Sequence, residues 1–328
     1  MKSLEKRIFV PKTSQDFDAL CMEIFKFQYT NNYIYRQFCD LLQRNPQNVK
    51  QKIDVPFLPI EFFKTHKVVS GRWKEVAFFQ SSGTTSSQKS THFIKDLSLY
   101  ERSFVHNFNA FWGNFQQYCF LVALPLYSKN PHSSLIYMMN YLVSHTRNNG
   151  SRFFNEDLDA LIEAIMANEK AKKKTILFGV TYALLDIIEK QPLNLQHTLV
   201  FETGGMKGQR AELTKEELHL RLCEGFNVRN ICSEYGMCEL FSQVYSAGNG
   251  IFHTTNGLFQ VAVRDINDPL SVDFQAGKGA INVIDLANLY SCSFIATADL
   301  GQKINDQTFK LLGRLADSDV RGCNLLYL

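Results

Sequence analysis

Small hydroxyl residues and glycine follow one another in "SSGTTSSQKS", Ser81–Ser90, where Lys89 is the one charge. Residues of this type let backbone N–H groups and hydroxyls converge on phosphate oxygens, and a lysine adds a point charge. The run lacks a GxxxxGK[ST] pattern, so it is not a Walker A loop. Taken alone, such a run is more often a plain turn. Three later turns carry chemistry of a matching kind. In "ETGGMKG", Glu202–Gly208, the pair Gly204–Gly205 permits close approach of backbone to a flat ligand, or simply a tight turn. In "SEYGMCE", Ser233–Glu239, Tyr235 can stack on a base and Glu239 can hold Mg²⁺. A buried tyrosine and a helix-terminal glutamate explain the same residues equally well. In "TADLG" followed by "LLGR", Asp299 can accept from ribose hydroxyls and Arg314 can pair with phosphate or ribose. An aspartate at a strand end is otherwise a turn former.

These turns need strands behind them. Residues 14 to 46 show helical spacing, and "IDVPFLPIEFFKTH", broken by Pro56 and Pro59, reads as an extended connector. Val76–Phe79 leads as a strand into the Ser/Thr loop, and Ser98–Phe115 reads as a helix. "YCFLVALPL" is a continuous apolar run of the kind buried on both faces of a parallel sheet. "SSLIYMMNYLVSHT" predicts a helix capped by Ser133. Glu156–Asn168 predicts a second helix, then "TILFGV" a strand and "TYALLDIIEKQ" a third helix. "HTLVFETGG" is a strand running into a glycine turn, "TKEELHLRLCEGF" a capped helix, and "NVRNICSEYGM" a strand and turn. Alternation of this kind predicts an α/β fold with mainly parallel sheet, and ligands in such folds bind at the carboxyl ends of the strands. Beyond residue 250 the pattern shifts to short strands and Gly or Asn turns, a β-rich subdomain. The expected organisation is a helical region at 1–75, an α/β core at 76–250 and a β-rich subdomain with a tail at 251–328.

Of the 328 residues 45% are hydrophobic, enough for a sizeable core. A net charge of +3 supplies no field that would single out nucleic acid or an anionic membrane as partner. The 27 phenylalanines can line large apolar pockets. The N-terminus has no apolar signal-peptide segment, and no apolar stretch reaches the ~20 residues of a membrane span. The eight cysteines show no metal spacing. A cytoplasmic protein with reduced thiols is expected.

In their order and spacing the four turns resemble the adenylate-forming ligase superfamily of acyl-CoA synthetases, peptide-synthetase adenylation domains and luciferases. The phosphate loop of that superfamily, roughly [ST]SG[ST]TGxPK, is matched in register by Ser81–Lys89, with Ser86 and Gln88 as departures. Its adenine-side turn resembles Gly204–Met206. Its YGxTE motif resembles Tyr235–Glu239 with Cys238 for Thr, and its TGDLG motif resembles Thr297–Gly301 with Ala298 for Gly. The narrower likeness covers nearly the whole chain. "PFLPIEFFKTH", "DLSLYE", "GVTYALLD", "ETGGMKGQR", "SEYGMCELFSQVYS" and "DVRGCNLL" look like the acyl-protein synthetases of bacterial bioluminescence, the LuxE type.

The resemblance implies an adenylate-forming-ligase-like α/β domain that activates a fatty acid with ATP and Mg²⁺. The acyl-AMP, formed with release of pyrophosphate, then passes its acyl group to a cysteine near the C-terminus. Ser81, Ser82, Gly83, Thr84, Thr85 and Lys89 would hold the pyrophosphate end, with Lys89 also the candidate for a catalytic role. Gly204, Gly205, Tyr235, Gly236, Asp299 and Arg314 would hold the adenosine, and Glu239 the metal. The acyl chain would lie in an apolar slot lined from "LPLYSKN", "SSLIYMM" and "FGVTYALL", segments that core packing explains equally. By the resemblance Cys323 is the acyl acceptor, beside Arg321, which favours thiolate, while an inert cysteine on a closing strand "CNLLYL" is the other reading of the residue. Cys238 is the second thiol, read as a steric replacement for Thr. His92 can position a carboxylate or phosphate, whereas partly exposed neutral histidines are commoner; the same holds for His253. The sequence ends soon after Arg314, so the mobile C-terminal domain whose lysine assists adenylation is expected to be largely missing, with Lys89 or a partner in its place. An acyl reductase or acyl carrier is the expected partner. Two other readings stay open: a ligase for another carboxylate, such as an aryl acid, with CoA or a carrier protein as acceptor, and a degenerate binder of nucleotide or acyl chains.

Overall fold

The computed structural model describes residues 2–10, 13–81, 88–125, 130–155, 157–204, 213–254 and 257–315, with backbone alone for residues 2 and 3. They divide into two compact units. One comprises residues 2–111, 236–244 and 253–315, the other 112–235 and 245–252.

The second unit carries the strand–helix alternation. Cys119–Ala123 and Thr175–Val180 are buried at every position, as strands covered on both faces must be. Five strands run parallel in the order Arg152–Phe153, Cys119–Ala123, Thr175–Val180, Thr198–Thr203 and Cys232–Tyr235. Between them come the helices Ser134–His145, Leu158–Lys170, Thr181–Lys190 and Lys215–Phe226. Their starts are set by local chemistry. Ser133 Oγ accepts from the Ile136 N–H at 3.3 Å, and Asp157 from that of Ala160 at 2.9 Å. Thr214 and Glu217 form a reciprocal capping box. The last helix ends at Asn227, which adopts the left-handed conformation at φ 51°.

The first unit is antiparallel. Its strands lie in the order Val272–Asp273, Phe259–Arg264, Gly277–Asp285, Phe294–Lys303 and Thr308–Arg314. The short strand Leu58–Pro59 adds in parallel to Phe294–Lys303. A separate hairpin pairs Ala77–Gln80 with Thr91–Ile94. Residues 2–75 and 253–315 belong to the same compact unit.

Two local expectations changed. The helical stretch from 14 to 46 is two helices, Ser14–Asn31 and Tyr33–Leu41, because Asn32 adopts an extended conformation and its side chain caps the second. The proline-broken connector at 53–66 holds, besides Leu58–Pro59, the one-turn helix Phe62–Thr65. Among the described residues no helix is long and apolar enough to cross a membrane. The seven described cysteines are all free.

Candidate functional site

The Ser/Thr loop is pinned at its neck. The hairpin ladder continues one pair beyond Gln80–Thr91: the Ser81 N–H donates to the Ser90 carbonyl, and Ser81 Oγ accepts from the Ser90 N–H, both at 3.1 Å. Ser81 is therefore engaged in closing the loop. Lys89 is exposed beside that neck. Ser82, Gly83, Thr84 and Thr85 lie outside the described residues, as do Gly205 and Cys323.

In the parallel unit the strand ends carry a buried charged cluster. Gly204 has φ 74°, the left-handed region that favours glycine, and its carbonyl accepts from Thr181 Oγ1 at 3.1 Å. Two residues earlier, Glu202 is 2% exposed. Its Oε1 receives Ser233 Oγ at 2.5 Å and Lys215 Nζ at 2.7 Å, with His219 Nε2 at 3.4 Å. Burial would push this carboxyl up, but the Lys215 ammonium and His219 outweigh it and hold it at about 2. The Lys215 ammonium also lies 5.4 Å from the centre of the Phe252 ring. Tyr235 is buried with its ring 5.9 Å from that of Phe252, so the packed-tyrosine reading describes its surroundings.

Glu234, between Ser233 and Tyr235, behaves in the opposite way to Glu202. Burial and the Glu202 charge push its carboxyl up to about 7, against a long bond from Thr203 Oγ1 at 3.4 Å. An acid raised on folding contributes stability below its unfolded value, near 4.3, and loses it as pH rises through the folded value. Glu234→Gln is accordingly expected to melt several degrees above the wild type at pH 8 and no higher at pH 5. Thermal melts across that range check the sign.

In the antiparallel unit the turn that follows Tyr235 is held on every side. Gly236 is half-buried, Cys238 is buried and Glu239 is fully buried. Phe241 N–H donates to Asp285 Oδ2 at 2.9 Å and to Asn288 Oδ1 at 3.0 Å, and Ser242 N–H to Asp285 Oδ2 at 2.9 Å. Asn288 Nδ2 donates to the Glu239 carbonyl at 2.7 Å. Burial pushes the Asp285 carboxyl up despite the donors of Ser242, Ala287 and Phe241. His92, 1% exposed, donates from Nδ1 to the Cys238 carbonyl at 2.9 Å, and its ring lies 5.0 Å from that of Phe241. Burial pushes the imidazole down to about 4, against the Cys238 carbonyl and the Glu239 charge, so it is neutral above that pH. It is a core histidine, not the partly exposed one that composition favours. The Cys238 thiol is buried 4.0 Å from the Ser90 carbonyl.

Asp299 and Arg314, far apart in sequence, face each other as partners on adjacent antiparallel strands. Arg314 Nε stands 3.6 Å from Asp299 Oδ1, with both side chains largely buried. The rest of "TADLG" explains itself locally. Thr297 Oγ1 accepts from the Asp299 N–H at 3.1 Å and donates to the Ile281 carbonyl at 2.8 Å. A Cβ at Gly301 would lie 2.7 Å from the Lys310 carbonyl oxygen, so only glycine fits there. Sequence reasoning passed over Arg264, which is buried and donates to the Thr297 carbonyl at 2.6 Å and to Asn282 Oδ1 at 2.7 Å. A charge at the end of the apolar run "FQVAV" was the available signal.

Among the described residues no three metal-ligating side chains cluster. The buried Glu239 carboxylate suits Mg²⁺, which takes one or two carboxylates and completes its shell with phosphate and water.

A sequence profile of the acyl-protein synthetase family, LuxE, matches residues 10–327. The chain belongs to the LuxE family. No curated protein matches significantly. Among solved structures this LuxE-family chain is similar to apo MatB from Rhodopseudomonas palustris, with 18% identity, TM-score 0.55, and 74% of this chain and 48% of that one covered. It is also similar to McyG A-PCP complexed with phenylalanyl-adenylate (15% identity, TM-score 0.52, 86% and 52% covered). A third is the long-chain-fatty-acid–CoA ligase FadD1 from Archaeoglobus fulgidus (14% identity, TM-score 0.50, 72% and 50% covered). At these identities the likeness is one of fold. The chain spans about half the length of these structures.

Proposed function

We propose that this LuxE-family protein activates a fatty acid with ATP and transfers the acyl group to a thiol. The observation that carries the reading is the pairing of Asp299 with Arg314, a carboxylate and a guanidinium of two separate motifs set side by side at 3.6 Å. Membership of the acyl-protein synthetase family and a fold in common with a phenylalanyl-adenylate complex support carboxylate activation.

In the first step a carboxylate oxygen attacks the α-phosphorus of ATP, the bond to the bridging oxygen breaks, and pyrophosphate leaves. Lys89 and the hydroxyls of the Ser81–Thr85 loop would balance the charge on the leaving pyrophosphate, Ser81 through the neck that it closes. Gly204, Gly205, Tyr235, Gly236, Asp299 and Arg314 would hold the nucleoside. Glu239 would hold Mg²⁺, which neutralises phosphate charge when bound. In the second step a thiolate, Cys323 by our reading, attacks the acyl carbon and AMP departs.

The apolar chain of such a substrate would need a slot. A cavity of about 340 Å³ opens where strands Cys119–Ala123 and Thr175–Val180 end, lined by Ala123, Pro125, Phe154, Leu161, Tyr182 and Ala183. It is walled by two of the three segments named above for the acyl slot. The thioester product is a substrate for reduction or onward transfer, which makes an acyl reductase or acyl carrier the expected partner. Free thiols at the seven described cysteines suit a cytoplasmic setting.

Pyrophosphate exchange into ATP, driven by fatty acids of graded length, tests the first step. Fatty acids are expected to support exchange and aryl acids not. Labelled fatty acid with ATP is expected to leave a hydroxylamine-labile label on the wild type and none on Cys323→Ser. Persistent label on that variant removes Cys323 as acceptor. Exchange with aryl acids alone, without self-labelling, favours a CoA or carrier-protein ligase.

A further inference from the structure

The turn from Cys238 to Ser242 is fixed by side chains that come from elsewhere in its unit. His92 comes from the hairpin strand Thr91–Ile94, Asp285 ends the strand Gly277–Asp285, and Asn288 lies one turn further on. Between them they take up the backbone around Glu239. The Cys238 carbonyl is occupied by His92, the Glu239 carbonyl by Asn288, the Phe241 N–H by Asp285 and Asn288 together, and the Ser242 N–H by Asp285. The Leu240 N–H closes onto the Met237 carbonyl within the turn.

Asp285 is fully buried, and four donors surround it: the N–H groups of Phe241, Ser242 and Ala287, and the Ser242 hydroxyl at 2.7 Å. Donors on all sides demand an ionised acceptor. A buried charge that holds three donors of this turn and the N–H of Ala287 is costly for stability, so its use lies in fixing one conformation. The support reaches back to the helix Ser14–Asn31. Gln28 Nε2 donates to the carbonyls of Asn288 and Leu289 at 3.0 and 3.1 Å, and its Oε1 accepts from the Ser293 N–H at 2.9 Å.

We propose that His92, Asp285 and Asn288 are positioning residues for Glu239, locking its turn so that the carboxylate is set in advance for magnesium. The inference rests on the nucleotide reading above and adds to it the residues that organise the metal ligand. Partners that orient a metal ligand typically change metal affinity by about 10–100-fold when removed.

Calorimetric titration with ATP, in the presence and absence of Mg²⁺, tests this without turnover. Wild type is expected to bind ATP more tightly with Mg²⁺. Asp285→Asn places an N–H₂ against N–H donors and is expected to lose about tenfold of that Mg²⁺-dependent gain, with Mg²⁺-free ATP affinity unchanged. His92→Leu is expected to lose a similar share. His92→Asn, whose amide can occupy the place of Nδ1, is expected to keep most of it. If Asp285→Asn does not fold, the two His92 variants decide alone. A gain within about twofold of wild type in Asp285→Asn and His92→Leu, instead of the roughly tenfold loss, overturns the positioning role and leaves the nucleotide reading standing. Equal weakening with and without Mg²⁺ overturns it too, since a merely structural lesion would act that way. Wild type that binds no ATP overturns the nucleotide reading itself.

Discussion

Lys215→Met lowers the stability of the protein by about 3–5 kcal/mol at neutral pH, the cost of leaving one partner of a buried ion pair alone. The methionine fills a similar volume against Phe252, so packing changes little. What changes is that Glu202, 2% exposed, keeps only Ser233 and the more distant His219 as partners. Denaturant unfolding of wild type and variant measures the difference. The pH dependence identifies its origin. In the wild type the Glu202 carboxyl is held at about 2, below its unfolded value, so the pair contributes above roughly pH 4.3 and its contribution fades as pH falls towards 2. In Lys215→Met burial is left to dominate and the folded value rises above the unfolded one. The deficit then grows as pH rises through that range and shrinks in acid. Adding Glu202→Gln removes the stranded charge, so the double variant is expected to recover most of the loss. A deficit independent of pH, or a double variant no better than the single one, would show that packing and not charge is at stake.

What could be read from the residues alone was whatever depends on near neighbours. The apolar runs "CFLVA" and "TILFGV", the Ser133 cap and the Thr214–Glu217 box carry their structure within a few positions, and they form as expected. The glycine at 204 and the turn at 235–239 were legible for the same reason, since strand ends announce themselves by the residues that follow. Long-range chemistry was not. Asp285 meets Phe241 across 44 positions, and Asn288 meets the Glu239 carbonyl across 49. In "VIDLAN" that aspartate looks like an ordinary strand terminator, because three of its four donors are supplied by topology and only the Ala287 N–H by a near neighbour. Lys215 reads as a first-turn helix residue until strand Thr198–Thr203 places Glu202 beneath it. Ser81 was legible as part of a polar loop, yet its hydroxyl is turned to Ser90, a pairing that follows from hairpin register. The exposed-histidine expectation for His92 failed because composition carries no information on which face of a two-residue repeat is covered.

Arg314→Ala is expected to reduce ATP–pyrophosphate exchange by about 10²–10³-fold, the usual effect of removing one group aimed at charge that develops in the transition state. The size of the effect follows from where the side chain sits. Arg314 and Asp299 are register partners in a largely buried pair, so a nucleotide beside them meets charges poorly screened by water. Arg314→Lys keeps the charge but not the planar fork and is expected to recover only part of the rate. Kinetics then separate the two roles that the sequence left open for this arginine. A contact with ribose is made equally before and during reaction, so its loss raises KM for ATP with kcat unchanged. A contact with the phosphates strengthens as charge grows, so its loss lowers kcat. Asp299→Asn supplies the reference, because a carboxylate can only accept from hydroxyls and is expected to act through KM. Should Arg314→Ala follow the pattern of Asp299→Asn, both residues serve the ribose; should kcat fall in Arg314→Ala alone, the guanidinium belongs to the phosphates. Exchange within about threefold of wild type, far from the loss argued above, would take Arg314 out of the site and leave its pairing with Asp299 as strand packing.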